Sequence, residues 1–102
     1  MLASAPMVMA PMNQFCQRKP NPVFSPEYRA MVAVLVDARR LAGLSQRALA
    51  AQIGKSPSHV TMIERGQRRV DSLELLLMAK AMGVDAVVLV GRIAARIDDL
   101  AT

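Results

Sequence analysis

Large aromatic side chains are scarce. The 102-residue chain has no tryptophan, one tyrosine and two phenylalanines, yet 53% of it is hydrophobic. Alanine, leucine, valine and methionine must therefore build the core, and they point to helices rather than strands. Alternating β-branched runs bounded by turn signals are missing, apart from the ambiguous Val84–Val90 stretch. No apolar run is long enough to span a bilayer, so a membrane partner is not expected. The opening MLASAPMVMAPM has no basic start and is interrupted by Pro6 and Pro11, which argues against a secretory signal. Cys16 is the only cysteine, so no intrachain disulfide can form and a reducing cytoplasm fits. His59 is the only histidine and has no second histidine and only a distant cysteine beside it, so a metal site is not expected. A phosphate-cradling glycine loop and a nucleophile–base pair are also missing. Nothing argues for an enzyme, and no cofactor is implied.

Acidic residues are in deficit too, with 8 against 13 lysines and arginines, a formal net charge of +5. The excess is local. Between Ser45 and Val70 lie Arg47, Lys55, Arg65, Arg68 and Arg69 against Glu64 alone, five minus one, or net +4. Neutralising a phosphate backbone needs such a patch, although a solvated basic face has the same composition.

The length allows one domain at most. Residues 1–24 carry four of the six prolines and no periodic apolar face, and read as a flexible Met/Pro-rich tail. The tail either docks on a partner through its methionines, is inert, or reflects an upstream start codon. Residues 25–102 read as a helical domain. Ser25-Pro26 opens a first helix to about Ala42, with Met31, Leu35, Ala38 and Ala42 on one face. A second helix spans about Gln46 to Ile53, capped by Ser45. A third spans about Pro57 to Arg65, with Ser56 as cap. A basic loop covers residues 66–70. Asp71 and Glu74 form the pattern of a capping box for a fourth helix ending near Met82. A fifth, capped by Asp85, covers about Ala86 to Ile97. Its opening AVVLV is β-prone, but the spacing of Leu89, Ile93 and Ile97 favours a helix, and a lone strand would have no partner.

The densest pattern is residues 45–66, SQRALAAQIGKSPSHVTMIERG. Leu49, Ala50 and Ile53 give one short helix an apolar face, Val60 and Ile63 give the next one its own, and Gly54 breaks between them. Glycine enters positive φ without a Cβ penalty. Ala50 allows a close crossing. Two helices on a short glycine turn, the second as reader, make a helix-turn-helix.

Ser45-Gln46, Leu49-Ala50, Ile53-Gly54, Val60, Ile63-Glu64-Arg65-Gly66 and Ala81-Met82-Gly83-Val84 together resemble the phage repressor and Cro-type (XRE-like) helix-turn-helix regulators, over about Met31 to Val84. The resemblance implies an all-α, five-helix, lambda-repressor-like DNA-binding domain. It implies that Pro57, Ser58, Thr61 and Met62 approach bases, with Ser56 beside them. Met62 has the alternative of covering the helix surface without touching DNA. Gln46 is expected at a phosphate, bracing the third helix as well. Lys55, Arg65, Arg68 and Arg69 are candidates for backbone contacts. His59 is expected either at a phosphate or facing solvent. Arg39 and Glu64 match a structural ion pair of the family.

The resulting expectation is a sequence-specific regulator of transcription, a repressor, acting on double-stranded DNA as a homodimer. Val88, Leu89, Ile93, Ile97 and Leu100 are assigned to dimerisation, since they exceed what a terminal helix buries on a four-helix core. The competing reading folds that stripe back onto the first helix. The rival functions are an antitoxin or other regulator whose tail or last helix engages a protein partner, and a control protein of a restriction–modification system.

Overall fold

Serine and aspartate oxygens start four of the five helices in the computed structural model, which describes residues 25–101. The tail expected over residues 1–24 lies outside these residues, as does Thr102. Helix α1 is Pro26–Leu41, α2 is Gln46–Gln52, α3 is Pro57–Glu64, α4 is Ser72–Ala81 and α5 is Ala86–Asp99. Ser25 Oγ accepts from Tyr28 N at 3.1 Å, and Ser45 Oγ accepts from Ala48 N at 3.0 Å. Asp71 and Glu74 form a reciprocal box: Glu74 N donates to Asp71 Oδ1 at 2.7 Å, and Asp71 N donates to Glu74 Oε1 at 3.2 Å. Asp85 Oδ1 accepts from Val87 N and Val88 N. Ser56 departs from this rule. Its backbone is extended and Pro57 follows, but its hydroxyl bonds no backbone N–H and lies 3.1 Å from Ser58 Oγ instead.

The helix ends are equally local in origin. Gly54 sits at φ +73°, and Lys55 N donates to Ala50 O at 2.9 Å while Gly54 N donates to Ala51 O at 3.3 Å. This pairing satisfies two carbonyls the helix leaves open, and it needs a residue in the left-handed region. A Cβ at Gly54 would meet nothing within 4 Å, so conformation alone selects glycine there.

All five helices contribute to one aliphatic core. Leu35, Leu49, Val60, Ile63, Met78 and Leu89 are fully buried. Each such side chain contributes about 1.5–3 kcal/mol by leaving water. Helix α1 packs on α3 and α5, α2 packs on α3 and α4, and α4 packs on α5. Ala50 of α2 is fully buried in this core. Of the face expected on α1, Leu35 and Ala38 are buried and Met31 is half-buried against the core, while Ala42 is exposed and forms the cap. No strand occurs among the described residues, and no helix there is long and apolar enough to cross a membrane.

Helix α5 requires a correction. The stripe assigned to dimerisation turns inward: Leu89 and Ile93 are buried and Ile97 is packed against the core. The reason is the length of α1, whose 16 residues present Val34, Leu35 and Ala38 as a surface for α5 to cover. Only Val88 and Leu100 of the assigned set remain about half exposed. Ile93→Glu is therefore expected to cost about 3–5 kcal/mol by stranding a charge in the core, with collapse of the thermal transition. Val87→Glu, at a site 80% exposed, is expected to leave the circular dichroism spectrum and melting temperature nearly unchanged. Equal losses in the two variants would contradict this placement of α5.

Candidate nucleic-acid interface

The short helix α3 is fixed by polar contacts at both ends of its buried side. Glu64, its last residue, receives Arg39 Nε at 2.6 Å and Arg39 Nη2 at 3.0 Å, in the forked geometry of a guanidinium on a carboxylate. Arg39 Nη1 donates to Leu44 O at 2.8 Å, which ties the α1–α2 connection to the same group. Gln46, the first residue of α2, donates from Nε2 to Glu64 Oε1 at 2.7 Å. Gln46 Oε1 in turn accepts from Thr61 Oγ1 at 2.7 Å. Thus α1, α2 and α3 meet on one carboxylate, whose side chain is only 8% exposed. The bracing expected of Gln46 occupies both ends of its amide.

His59 requires the second correction. Its ring neither faces solvent nor lies at the outer edge of the helix. It is buried, with Nε2 2.9 Å from Glu74 Oε2. Position 59 precedes Val60 on the side of α3 that faces the start of α4, where Glu74 sits in the capping box. The two oxygens of Glu74 are divided between that box and the histidine. Lys55 Nζ lies 4.0 Å from the same Oε2 and remains solvent-accessible.

The opposite side of α3 is open. Ser56, Pro57, Ser58 and Met62 are exposed, and Thr61 is half-buried. Arg65, Arg68 and Arg69 are exposed on the turn that leaves α3, and Lys55 on the turn that enters it. Arg47 is exposed on the first turn of α2. A ridge of small polar and apolar side chains is thus bracketed by cations at both ends. Double-stranded DNA needs this order, base edges in the groove and phosphates on either side of it.

One residue of this arrangement went unread in the sequence. Tyr28 Oη accepts from Val70 N at 2.8 Å and donates to Arg68 O at 3.4 Å. The only tyrosine of the chain therefore pins the basic loop to the first turn of α1. The contact joins residues 42 positions apart, so no local pattern signals it. Its one visible trace is that Tyr28 is the sole Phe, Tyr or Trp among the described residues 25–101.

Comparisons with known proteins agree with the geometry. A helix-turn-helix family model (HTH_3) matches residues 35–89, more than half of the chain. A solved XRE-family like protein from Pseudomonas syringae pv. tomato is 33% identical, covers 68% of this chain and 84% of its own, and superposes with a TM-score of 0.64. The clp gene regulator ClgR from Corynebacterium glutamicum is 27% identical, with 80% of this chain and 84% of its own covered and a TM-score of 0.66. A second ClgR structure gives a TM-score of 0.62 at the same 27% identity, with 70% and 92% covered. A search of curated proteins finds no match.

The Arg39–Glu64 contact generates its own test. Arg39→Met and Glu64→Gln are each expected to lower stability by about 3–5 kcal/mol, because each strands a nearly buried charge. The double variant is expected to recover part of that loss, and denaturant titration of all four proteins measures the coupling. Additive losses would mean that the two groups do not act as a pair.

Proposed function

The chain belongs to the helix-turn-helix family of XRE-type DNA-binding regulators, and from that premise we propose a sequence-specific repressor that reads the major groove with α3 as a homodimer. The observation that carries the proposal is the division of α3 into two sides. Arg39, Gln46 and Glu74 hold its inner side, while Pro57, Ser58 and Met62 are exposed on the outer side between exposed cations, and Thr61, half-buried and tied to Gln46, borders them. Under this reading Ser56, Pro57, Ser58, Thr61 and Met62 meet base edges. Lys55, Arg65, Arg68 and Arg69 meet phosphates, which supply most of the affinity and carry no sequence information. Gln46 acts through Glu64 and Thr61. His59 leaves the set of DNA contacts.

A reader with so few base contacts needs a second copy for useful affinity, hence two half-sites about one helical turn apart. With Leu89 and Ile93 spent on the core, the face of α5 left for that copy centres on Val87, Val88 and Val90, all exposed. The first two lie in the first turn of the helix. Repression follows from simple occlusion where such a site overlaps a promoter. The rival reading, a regulator bound by another protein, draws on the same apolar surface and on Leu73 and Leu76 of α4, both at least half exposed.

Selection of bound fragments from random DNA by the purified protein tests the proposal. An inverted repeat is the expected result, and no enrichment would overturn it. On the selected site, Arg68→Ala and Arg69→Ala are each expected to weaken specific and non-specific binding about equally, and to lower the salt slope by roughly one. An unchanged slope would remove these residues from the interface. Sedimentation of the protein with the selected inverted repeat is expected to find two copies per site for the wild type, and a folded protein with weakened operator binding for Val87→Glu. A single wild-type copy on each inverted repeat would hand the valine face to the rival reading.

A further inference from the structure

We propose that Thr61 distinguishes amino bases from keto bases, because the chain of hydrogen bonds behind it fixes the direction of its own proton. The inference rests on the DNA-binding reading above and concerns the specificity of that same site. The chain starts at Glu64. A carboxylate only accepts hydrogen bonds, and Arg39 already donates to both of its oxygens, at 2.6 and 3.0 Å. The Gln46 atom 2.7 Å from Glu64 Oε1 must therefore be the amide nitrogen. That choice turns the Gln46 carbonyl toward Thr61, whose hydroxyl lies 2.7 Å away and must donate. The one other group within reach of this hydroxyl is Pro57 O at 3.2 Å, which is also an acceptor. A hydroxyl has a single proton. Whichever of the two receives it, that proton points into the protein.

What remains on the outer side of Thr61 Oγ1 is lone pairs. In the major groove adenine presents the N6 amino group and cytosine the N4 amino group, both donors, whereas guanine O6 and thymine O4 are acceptors. An oxygen that can only accept pairs with the former and is repelled by the latter. A free threonine hydroxyl would rotate and satisfy either class. Glu64, which touches no base in this reading, thereby sets the sign of a base contact through two intervening side chains. The code at this position is amino against keto on the strand that Thr61 faces.

The test compares the sites selected from random DNA by the wild type, Thr61→Ser and Thr61→Val. Serine keeps the hydroxyl and loses the methyl, and valine does the reverse. The wild type and the serine variant are expected to share adenine or cytosine at one position per half-site, and the valine variant to lose that preference by about tenfold. Thr61→Ala repeats the comparison if valine is poorly accommodated. Replacing the preferred base by its analogue without the amino group, purine for adenine or pyrimidin-2-one for cytosine, is expected to weaken wild-type binding about tenfold. The same replacement is expected to leave the valine or alanine variant unchanged. A merely structural Thr61 would not produce that non-additivity. Guanine or thymine at the affected position would overturn the inference. So would an unaltered motif in the valine and alanine variants while the wild type still selects an inverted repeat. Either result leaves the DNA-binding reading standing, whereas no enrichment by the wild type would remove both.

Discussion

The Glu64 carboxylate is the point on which the arrangement of α1, α2 and α3 depends. Three donors from two other helices converge on its two oxygens, and none of these contacts is between neighbours in sequence. A core of leucine, valine and alanine tolerates small rotations of a short helix, since aliphatic contacts carry little directional information. The eight residues of α3 bury only His59, Val60 and Ile63, too few to fix its roll about its own axis. A forked ion pair with a further amide bond does fix it. Buried ion pairs add little net stability relative to apolar replacements. The value of this one lies in orientation.

The His59–Glu74 bond supplies the complementary constraint. Glu64 fixes the C-terminal end of α3 to α1 and α2, and His59 fixes its N-terminal half to α4. Glu74 does so while also capping α4, so the start of α4 and the position of α3 are set by one side chain. Tyr28 adds a third tether, from α1 to the loop that carries Arg68 and Arg69. The inner side of α3 is thus over-determined by polar contacts, whereas on the outer side Pro57, Ser58 and Met62 are exposed and Thr61 is tied back to Gln46. Such a division allows the exposed residues to change without cost to the fold.

Legibility in the sequence followed the range of the interactions. Caps and stops are set within four or five residues, so Ser25, Ser45, Asp71, Asp85 and the glycine turns were readable, and with them all five helices. Ser56 shows the limit of even this rule, since its backbone caps α3 while its hydroxyl turns to Ser58. The Arg39–Glu64 pair was legible only through family resemblance, because its partners are 25 positions apart. The contacts of His59 and Tyr28, 15 and 42 positions long, left no periodic signal. The placement of α5 is hidden from the sequence for a related reason. Periodicity shows that Leu89, Ile93 and Ile97 share a stripe, but it does not say whether the protein's own α1 or a second molecule covers it.

That outcome bears on how two copies would assemble. The inward turn of Leu89 and Ile93 removes the largest apolar residues of α5 from any interface and leaves valines, of which Val87 is 80% exposed. A patch of a few valines falls well short of the burial typical of stable dimers, about 800 Å² from each partner. Under the proposed homodimer, association in solution would then be weak, and the DNA would complete it by holding both copies on adjacent half-sites. Each copy raises the effective concentration of the other on a two-site operator. Specificity then gains twice from one weak contact, since a single half-site holds one copy poorly and the pair forms only where both half-sites are present at the right spacing.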